Sequence, residues 1–164
     1  MCHTIKFGGD GLKILIDADG CPVVDLTVET AKDFGLECVI FFDTSHVFEN
    51  DYARTVMVSK GTDSVDFALV NEIGKNDIAV TQDYGLAAMC LAKGALPINQ
   101  DGRVYTEKNI GSLLEMRHVS KKIRRAGGRT KGPKKREPYQ SENFAKSLRN
   151  LIELQLRKEF LKNE

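Results

Sequence analysis

Residues 13–22 read KILIDADGCP, and this stretch gives the first indication of the fold class. Its first half, KILID, is a short apolar run that ends in a carboxylate, as expected of a buried strand. Pro22 suits the first turn of a helix, which we expect to run to about Phe34 and to stop at Gly35. A strand that leads through a short turn into a helix is typical of the first unit of a parallel α/β fold.

The same alternation of strand and helix continues to about residue 105. Apolar spacing predicts helices at residues 64–73 and 86–92. Further strands are predicted at residues 39–42, 55–58, 78–81 and 96–98, with a short sixth strand at residues 104–105. Because strands that alternate with helices pair in parallel through right-handed crossovers, we predict an α/β fold with three layers, α/β/α, around a mostly parallel central sheet of about five strands.

The C-terminal third is predicted to be a helical extension. A helix capped by Thr106 covers residues 106–116, and a strongly basic helical segment follows to residue 126. Residues 127–138 (GGRTKGPKKREP) hold three Gly and two Pro, so we expect a mobile loop. An amphipathic helix, capped by Ser141, then runs to residue 161. The predicted parts are an N-terminal extension (1–12), an α/β domain (13–118), a basic helix and mobile loop (119–140), and a C-terminal helix that packs on the domain (141–164).

The formal charge of +1 hides two oppositely charged parts of the chain. Residues 1–116 carry 9 Lys/Arg and 18 Asp/Glu, whereas residues 117–164 carry 15 Lys/Arg and 5 Asp/Glu. Ten Lys/Arg and no acidic residue lie between Arg117 and Arg136. Such asymmetry indicates a polyanionic partner, and nucleic acid is the obvious one.

Several classes of protein are excluded by the composition. No stretch approaches the roughly 18 apolar residues that a membrane span needs, so no membrane partner is expected. No apolar region near residue 1 resembles a secretory signal. The four cysteines are scattered without a C-x-x-C pair, which favours reduced thiols in a cytoplasmic protein over a structural zinc site. None of these features predicts an oligomeric state.

Aspartates stand at the predicted strand ends. Asp17 ends the first strand, Asp19 follows two residues later, and Asp83 follows the fourth strand. Because the carboxyl ends of parallel strands meet at one edge of the sheet, we expect these carboxylates to lie close together. Asp63 and Asp66 open the helix after the third strand and share one helical face. Each of the last four could instead serve as a helix cap.

A carboxylate cluster of this kind suits a hard divalent cation. Mg²⁺ and Mn²⁺ prefer oxygen ligands, and a bound cation can orient water and neutralise charge at a phosphodiester. Close aspartates also stay ionised more easily beside a cation. We therefore predict Mg²⁺ or Mn²⁺ as cofactor, with Asp17, Asp19 and Asp83 as catalytic residues. The predicted metal ligands are Asp17, Asp63, Asp66 and Asp83.

The basic segment supplies candidate phosphate contacts. Such contacts give affinity without sequence specificity, and they weaken as salt rises. The alternative is a solvated, mobile surface. Tyr139, next to the segment, could stack on a base. The predicted nucleic-acid-binding residues are Lys121, Lys122, Arg124, Arg125, Arg129, Lys131, Lys134, Lys135 and Arg136.

Six short motifs follow one another in a characteristic order. They are DADGCPV (17–23), GTDSVD (61–66), TQDYGLA (81–87), KGA (93–95), NQDGRVYT (99–106) and RTKGP (129–133). Together they resemble the bacterial YaiI/YqxD family over roughly residues 13–160. That family is similar to PIN-like domains, whose members are often metal-dependent ribonucleases, so the resemblance implies a PIN-like fold for residues 13–118.

The resemblance also implies roles for three of the aspartates. Asp17 matches the first-strand metal aspartate of PIN nucleases, and Asp83 matches the aspartate after their fourth strand. Asp66, or Asp63, stands where those nucleases place an acid on a central helix. That acid is commonly Glu in PIN nucleases, whereas this chain has the shorter Asp.

Three functions are compatible with these features. The leading one is a metal-dependent nuclease, an endo- or exoribonuclease that hydrolyses phosphodiesters, with RNA favoured as substrate. The alternative is a non-catalytic nucleic-acid-binding protein with a PIN-like fold. A phosphatase of the haloacid dehalogenase type is less favoured. Asp17-x-Asp19 resembles the D-x-D motif of that family, but Cys21 stands where the family usually has Thr.

Overall fold

A computed structural model describes residues 11–61, 64–130, 132 and 134–164. Asp63 and Lys131, two of the predicted site residues, lie outside the described residues, as does most of the expected N-terminal extension. The elements are β1 (Lys13–Asp17), α1 (Val24–Asp33), β2 (Glu37–Asp43), β3 (Arg54–Val58), α2 (Ser64–Glu72), β4 (Ile78–Val80), α3 (Tyr84–Ala92), β5 (Leu96–Ile98), α4 (Glu107–Arg125) and α5 (Pro138–Lys162).

The five strands form one parallel sheet in the order β3-β2-β1-β4-β5. Strand β1 lies in the middle, where Ile14, Leu15 and Ile16 pair with both β2 and β4 and are fully buried. A strand that is apolar on both faces needs a cover on both faces, and helices supply it. The chain order reverses direction between β1 and β4, which makes the carboxyl ends of these two strands the topological switch point of the sheet.

Helices cover the sheet on both sides, so the predicted three-layer α/β/α fold with a C-terminal helix is confirmed. Residues of α1 and α5 form a core with one face of the sheet, and residues of α2 and α3 form a second core with the other face. Helix α5 contributes Phe144, Leu148 and Ile152, which are all fully buried. Helix α4 packs beside α3 through Leu113, the residue of α4 that is buried.

The structure corrects three predictions about the elements, besides shifts of one or two residues at other ends. Helix α1 begins at Val24, because Pro22 belongs to the turn before it. Residues 104–105 add no strand: Asn99 accepts the N–H groups of Asp101 and Arg103 through its side chain, and the resulting tight turn leaves only one antiparallel bridge, Ile98–Val104.

Helix α5 supplies the third correction, since it begins at Pro138 and not at Ser141. Proline suits the first helical position because no helical partner is lost there. The side chain of Gln140 accepts the N–H of Glu137, and this contact orders the first turn. The domain boundaries stay predictions, and the boundary after residue 118 falls inside α4.

No helix within the described ranges is long and apolar enough to cross a membrane.

Candidate active site

A cleft of about 480 Å³ opens at the carboxyl edge of the sheet, at the switch point between β1 and β4. Open α/β sheets bind their ligands at this place. Four of the predicted site acids, Asp17, Asp19, Asp66 and Asp83, therefore line one cleft. Its lining consists of Asp17, Asp19, Gly20, Asp43, Gly61, Val65, Asp66, Gln82, Asp83, Tyr84 and Arg117.

Thr81 joins the two strand ends at the floor of this cleft. Its hydroxyl donates to Oδ2 of Asp17 over 2.8 Å and accepts the backbone N–H of Asp83 over 3.0 Å. The hydroxyl of Tyr105 in turn donates to the Thr81 carbonyl over 3.3 Å. Since Thr81 is only 1% exposed, its one hydroxyl fixes the relative position of the two aspartates without help from solvent.

Asp17 has an unusual electrostatic environment. Its pKa is raised from 3.8 to about 6, chiefly by burial and to a smaller extent by the charges of Asp19 and Asp83, against the opposing effect of the Thr81 hydrogen bond. A buried carboxylate beside two others is stabilised in its charged form by a cation. The environment of Asp17 therefore favours a cation in this cleft.

Asp83 is the N-cap of α3 as well as a cleft residue. Its Oδ1 accepts the backbone N–H groups of Gly85 and Leu86 over 2.8 and 3.2 Å, and Nη1 of Arg117 lies 3.4 Å from the same oxygen. Its Oδ2 accepts no hydrogen bond from a described residue. The capping role and the site role of Asp83 are therefore compatible, because they use different oxygens.

A second group of ligand atoms lies at the rim of the cleft. Asp19, Asp43 and His46 each offer one ligand atom within 4.8 Å of the others, and Nδ1 of His46 lies 3.1 Å from Oδ1 of Asp19. Hydrogen bonds from Ser45, helped by His46 and Lys60, hold the pKa of Asp43 below its usual value. Within the described part of the chain this is the one trio at that spacing.

The predicted ligands Asp17, Asp66 and Asp83 line the cleft without forming so close a group. Asp43 was missed in the sequence, although it ends β2 as Asp17 ends β1. The expectation that acids at the carboxyl ends of parallel strands lie together, which we call the strand-end rule, could have found it. His46 had no signal in the sequence, since it lies in a loop without a neighbouring ligand motif.

Most of the predicted nucleic-acid-binding residues in the described ranges are exposed. Those on α4 are Lys121, Lys122, Arg124 and Arg125, and those after it are Arg129, Lys134 and Lys135. Arg136 differs from them, because its guanidinium binds Oδ1 of Asp101 over 2.8 Å and the carbonyl of Gln100 over 2.7 Å. Arg136 ties the basic segment to the turn after β5, so two of its donor nitrogens are used inside the protein.

Arg117 connects the basic helix to the cleft. It lines the cleft from α4, and Lys121 and Arg124 follow it at the spacing of four and seven residues that places side chains on one helical face. The basic face of α4 therefore begins at the acidic cleft. Arg117 was counted in the charged segment but was not among the predicted site residues.

Comparison with known proteins places the chain among close relatives. A family model described as "Uncharacterized BCR, YaiI/YqxD family" matches residues 15–154. A "UPF0178 protein" of Exiguobacterium sibiricum is 52% identical over 141 residues, which cover 86% of this chain and 96% of that relative. A "UPF0178 protein" of Ruminiclostridium cellulolyticum is 47% identical over 137 residues, which cover 84% and 90%.

Among solved structures, the crystal structure of Rae1 (YacP) from Bacillus subtilis is similar over 88% of this chain and 99% of that chain. The sequence identity is 14% and the TM-score is 0.41. A likeness this distant supports no statement about activity.

Proposed function

The chain belongs to the YaiI/YqxD family, and we propose that it is a metal-dependent nuclease that hydrolyses phosphodiester bonds in RNA. The observation that carries the proposal is the convergence of carboxylates from β1, β2, α2 and the β4–α3 turn on one cleft, beside the basic face of α4. The cleft gathers five carboxylates from Asp17, Asp19, Asp43, Asp66 and Asp83, and this concentration of negative charge would be offset by a cation. A cation and a phosphate partner explain both signs of charge together.

The residues of the cleft fit a hard divalent cation. The donors are carboxylate oxygens, as Mg²⁺ and Mn²⁺ prefer. In Asp17 and Asp83 one oxygen is held by a protein hydrogen bond while the other accepts none from a described residue. Asp17, Asp66 and Asp83 would hold the ion, and the predicted ligand Asp63 stays in this set. When bound, the ion supplies charge neutralisation at the phosphate and a more acidic water.

The protein's own groups would orient the reacting water. Asp19, whose Oδ1 lies 3.1 Å from Nδ1 of His46 at the rim, would accept a proton from that water. Thr81 keeps Asp17 and Asp83 in fixed positions, so neither must reorganise during the reaction. We therefore assign positioning to Thr81 and keep Asp17, Asp19 and Asp83 as the catalytic residues.

The partner would be bound outside the cleft by the basic segment. Phosphate contacts from Lys121, Arg124 and the residues that follow them would provide affinity without sequence specificity. RNA is the proposed partner. The thiols of Cys21, Cys38 and Cys90 are free, which suits the reducing cytoplasm, where we place the protein.

Cleavage of labelled RNA in the presence of Mn²⁺ tests the proposal. We expect cleavage by the wild type and by Asp51→Asn, whose exposed carboxylate lies outside the cleft, and at least a hundredfold loss in Asp17→Asn. A circular dichroism melt of each variant verifies that it is folded.

Equal cleavage by wild type and Asp17→Asn would point to a contaminating nuclease and would contradict the proposal. If RNA binding then persisted, the protein would be a non-catalytic nucleic-acid-binding protein. Hydrolysis of small phosphate esters through an aspartyl phosphate would instead support the phosphatase.

A further inference from the structure

The wall of the cleft formed by α3 and α4 carries an aromatic ring and a guanidinium. Tyr84 is the first residue of α3, and both Tyr84 and Arg117 line the cleft. Nη1 of Arg117 lies 3.4 Å from Oδ1 of Asp83 and 3.9 Å from the position that a Cβ on Gly85 would take. The guanidinium is therefore close to the first turn of α3, near the residues that precede and follow Tyr84.

Arg117 is not needed to hold the protein together. Oδ1 of Asp83 already accepts two backbone N–H groups at shorter distances, and the Arg117 side chain is 59% exposed. An exposed ion pair at this distance contributes little to stability. Arg136, by contrast, is only 25% exposed and makes two short contacts, as a structural arginine does.

Arg117 also brings a positive charge to a cleft that is otherwise lined by acids and uncharged residues. Among the described residues that line the cleft, it is the one Lys or Arg, and the acids around it repel a phosphate. A nucleic-acid strand that enters the cleft needs a positive contact near the acids, and the planar guanidinium is well suited to phosphate oxygens.

Tyr84 is held in place on its inner side. Its ring makes an edge contact with Tyr105, with centroids 5.9 Å apart and planes at 68°, and Tyr105 is itself buried and bound to the Thr81 carbonyl. Its phenol makes no hydrogen bond to a described residue. A half-buried ring that is fixed on one side and lines a cleft on the other is a good platform for a base.

We infer that Tyr84 and Arg117 form a nucleotide-recognition pair, in which Tyr84 stacks on a base and Arg117 contacts the adjoining phosphate. The inference rests on the proposed function only in placing nucleic acid in this cleft. The pair joins the cleft to the basic face of α4, because Lys121 and Arg124 continue from Arg117 along the helix.

Binding of a short fluorescent RNA, measured by anisotropy with Ca²⁺ and with gels to show that the RNA stays intact, tests the pair. We expect Tyr84→Leu to weaken binding about tenfold and Tyr84→Phe by less than about twofold, since phenylalanine retains the stacking surface. Phe160→Leu, which removes an exposed ring outside the cleft, should leave the affinity unchanged.

Arg117→Gln should weaken binding about fivefold to tenfold and reduce the slope of log affinity against log salt by about one. Lys108→Gln is the matched control, because it removes the same charge from the same helix, about 180° around the axis from Arg117, at an exposed residue outside the predicted nucleic-acid-binding set. Its effect on this short RNA should stay below about twofold.

An RNA of the same length with one abasic position separates the two contacts. The effect of Tyr84→Leu should disappear when the missing base is the one that stacks, whereas the effect of Arg117→Gln should persist. Three results would overturn the inference: equal losses of affinity for Arg117→Gln and Lys108→Gln, a Tyr84→Leu effect that is the same at every abasic position, or no RNA binding by the wild type. If the wild type cleaves RNA but neither variant changes binding, the nuclease proposal holds and the recognition pair is refuted. If both variants weaken binding but the wild type does not cleave RNA, the pair holds and the nuclease proposal is refuted.

Discussion

Thr81 determines the geometry of the cleft through one side-chain oxygen. That oxygen donates to Asp17 and accepts from the backbone of Asp83, so two acids from different parts of the chain share one buried hydroxyl. A buried group with two partners is costly to remove, since each partner is left without its hydrogen bond. Thr81 therefore links the stability of the fold to the arrangement of the acids.

Thr81→Val should lower the free energy of unfolding by about 1–3 kcal/mol, because the N–H of Asp83 and the carboxylate of Asp17 lose a buried partner. It should also raise the pKa of Asp17, which the Thr81 hydrogen bond lowers. Urea denaturation and an NMR titration of the Asp17 carboxyl measure the two effects.

Thr27→Val is the matched control for Thr81→Val. Thr27 is also buried, but its hydroxyl bonds only the carbonyl four residues earlier in its own helix segment. Equal losses of stability in the two variants would show that the Thr81 hydroxyl has no special role in the cleft.

Asp17 makes stability depend on pH in the direction opposite to most aspartates. Its pKa is about 6 in the fold against 3.8 for the free side chain, so the ionised form is disfavoured by folding. This loss of folding stability is absent at pH values below 3.8 and complete at pH values above about 6. A pKa shift of this size corresponds to a loss of about 3 kcal/mol at most.

In a buffer without divalent cations, Asp17→Asn should therefore be about 2–3 kcal/mol more stable than the wild type at pH 7, because the amide can still accept the Thr81 hydroxyl. The difference should shrink as the pH falls from 7 to 4. Thermal melts across this range provide the measurement. A wild type that is the more stable protein at pH 7 would contradict the pKa assigned to Asp17.

Among single residues, the strand-end rule found Asp17 and Asp83 because their positions follow from chain order alone. It could not find the partnership of Asp19 with His46, since loop residues 44–50 bring the histidine to the rim without any periodic pattern. Arg117 was hidden for a similar reason: only the packing of α4 against α3 brings that residue to the cleft.

Helix α4 ends in a way that fixes where the basic loop departs. The N–H of Gly128 donates to the Ile123 carbonyl and that of Gly127 to the Arg124 carbonyl, and Gly127 has a φ of +81°. These contacts form a Schellman motif, which satisfies carbonyls at a helix end. The Thr130 hydroxyl then accepts Nε of Arg124 over 2.9 Å, so the first residues of the loop are bound back to the helix.

Gly128→Ala should destabilise this helix end by about 1–3 kcal/mol and weaken RNA binding. A Cβ there would lie 2.7 Å from Cγ2 and 2.9 Å from the carbonyl oxygen of Ile123, so the loop would have to move. Amide exchange at residues 123–130 and RNA anisotropy measure the two effects.

Gly132→Ala supplies the comparison, because a Cβ at Gly132 meets no atom within 4 Å. Its amide exchange and its RNA affinity should match those of the wild type. Faster amide exchange in Gly128→Ala with unchanged RNA affinity would show that the end of α4 does not contribute to RNA binding.

The strands were predictable because burial on both faces leaves an apolar run in the sequence, as in β1 and β2. The first turn of α5 was missed, although Pro138 at the first helical position and Gln140 at the third are both start signals, because Glu137 is not one of the usual N-cap residue types. The expected strand at residues 104–105 was wrong because the Asn99 turn reverses the chain there.

For the molecule as a whole, the separation of charge along the chain matters more than its total of +1. The acidic part forms the sheet and the cleft, and the basic part begins at Arg117 and runs outward along α4. A polyanion bound along α4 would therefore end at the cleft. This division was visible in the sequence, whereas the contact between the two parts depended on the packing of α4.

Replacing Lys121, Lys122, Arg124 and Arg125 with Gln should lower affinity for a long RNA at low salt and reduce the salt slope by about three, if each contacts one phosphate. The control replaces Lys146, Arg157, Lys158 and Lys162 of α5, which removes the same charge from another exposed surface. Affinity measured from low to moderate salt should separate the two variants. Equal slopes would show that net charge, and not the face of α4, attracts RNA.

A divalent cation bound in the acidic cleft would be detected by Mn²⁺ titration of the protein without nucleic acid. The loss of the free Mn²⁺ signal in electron paramagnetic resonance gives the affinity of the wild type, of Asp17→Asn and of the Asp51→Asn control. We predict binding by the wild type and the control, with at least a tenfold weaker affinity in Asp17→Asn, because that variant loses an acid of the cleft. Equal Mn²⁺ affinity in all three proteins, or no binding by the wild type, would contradict a cation site in the cleft.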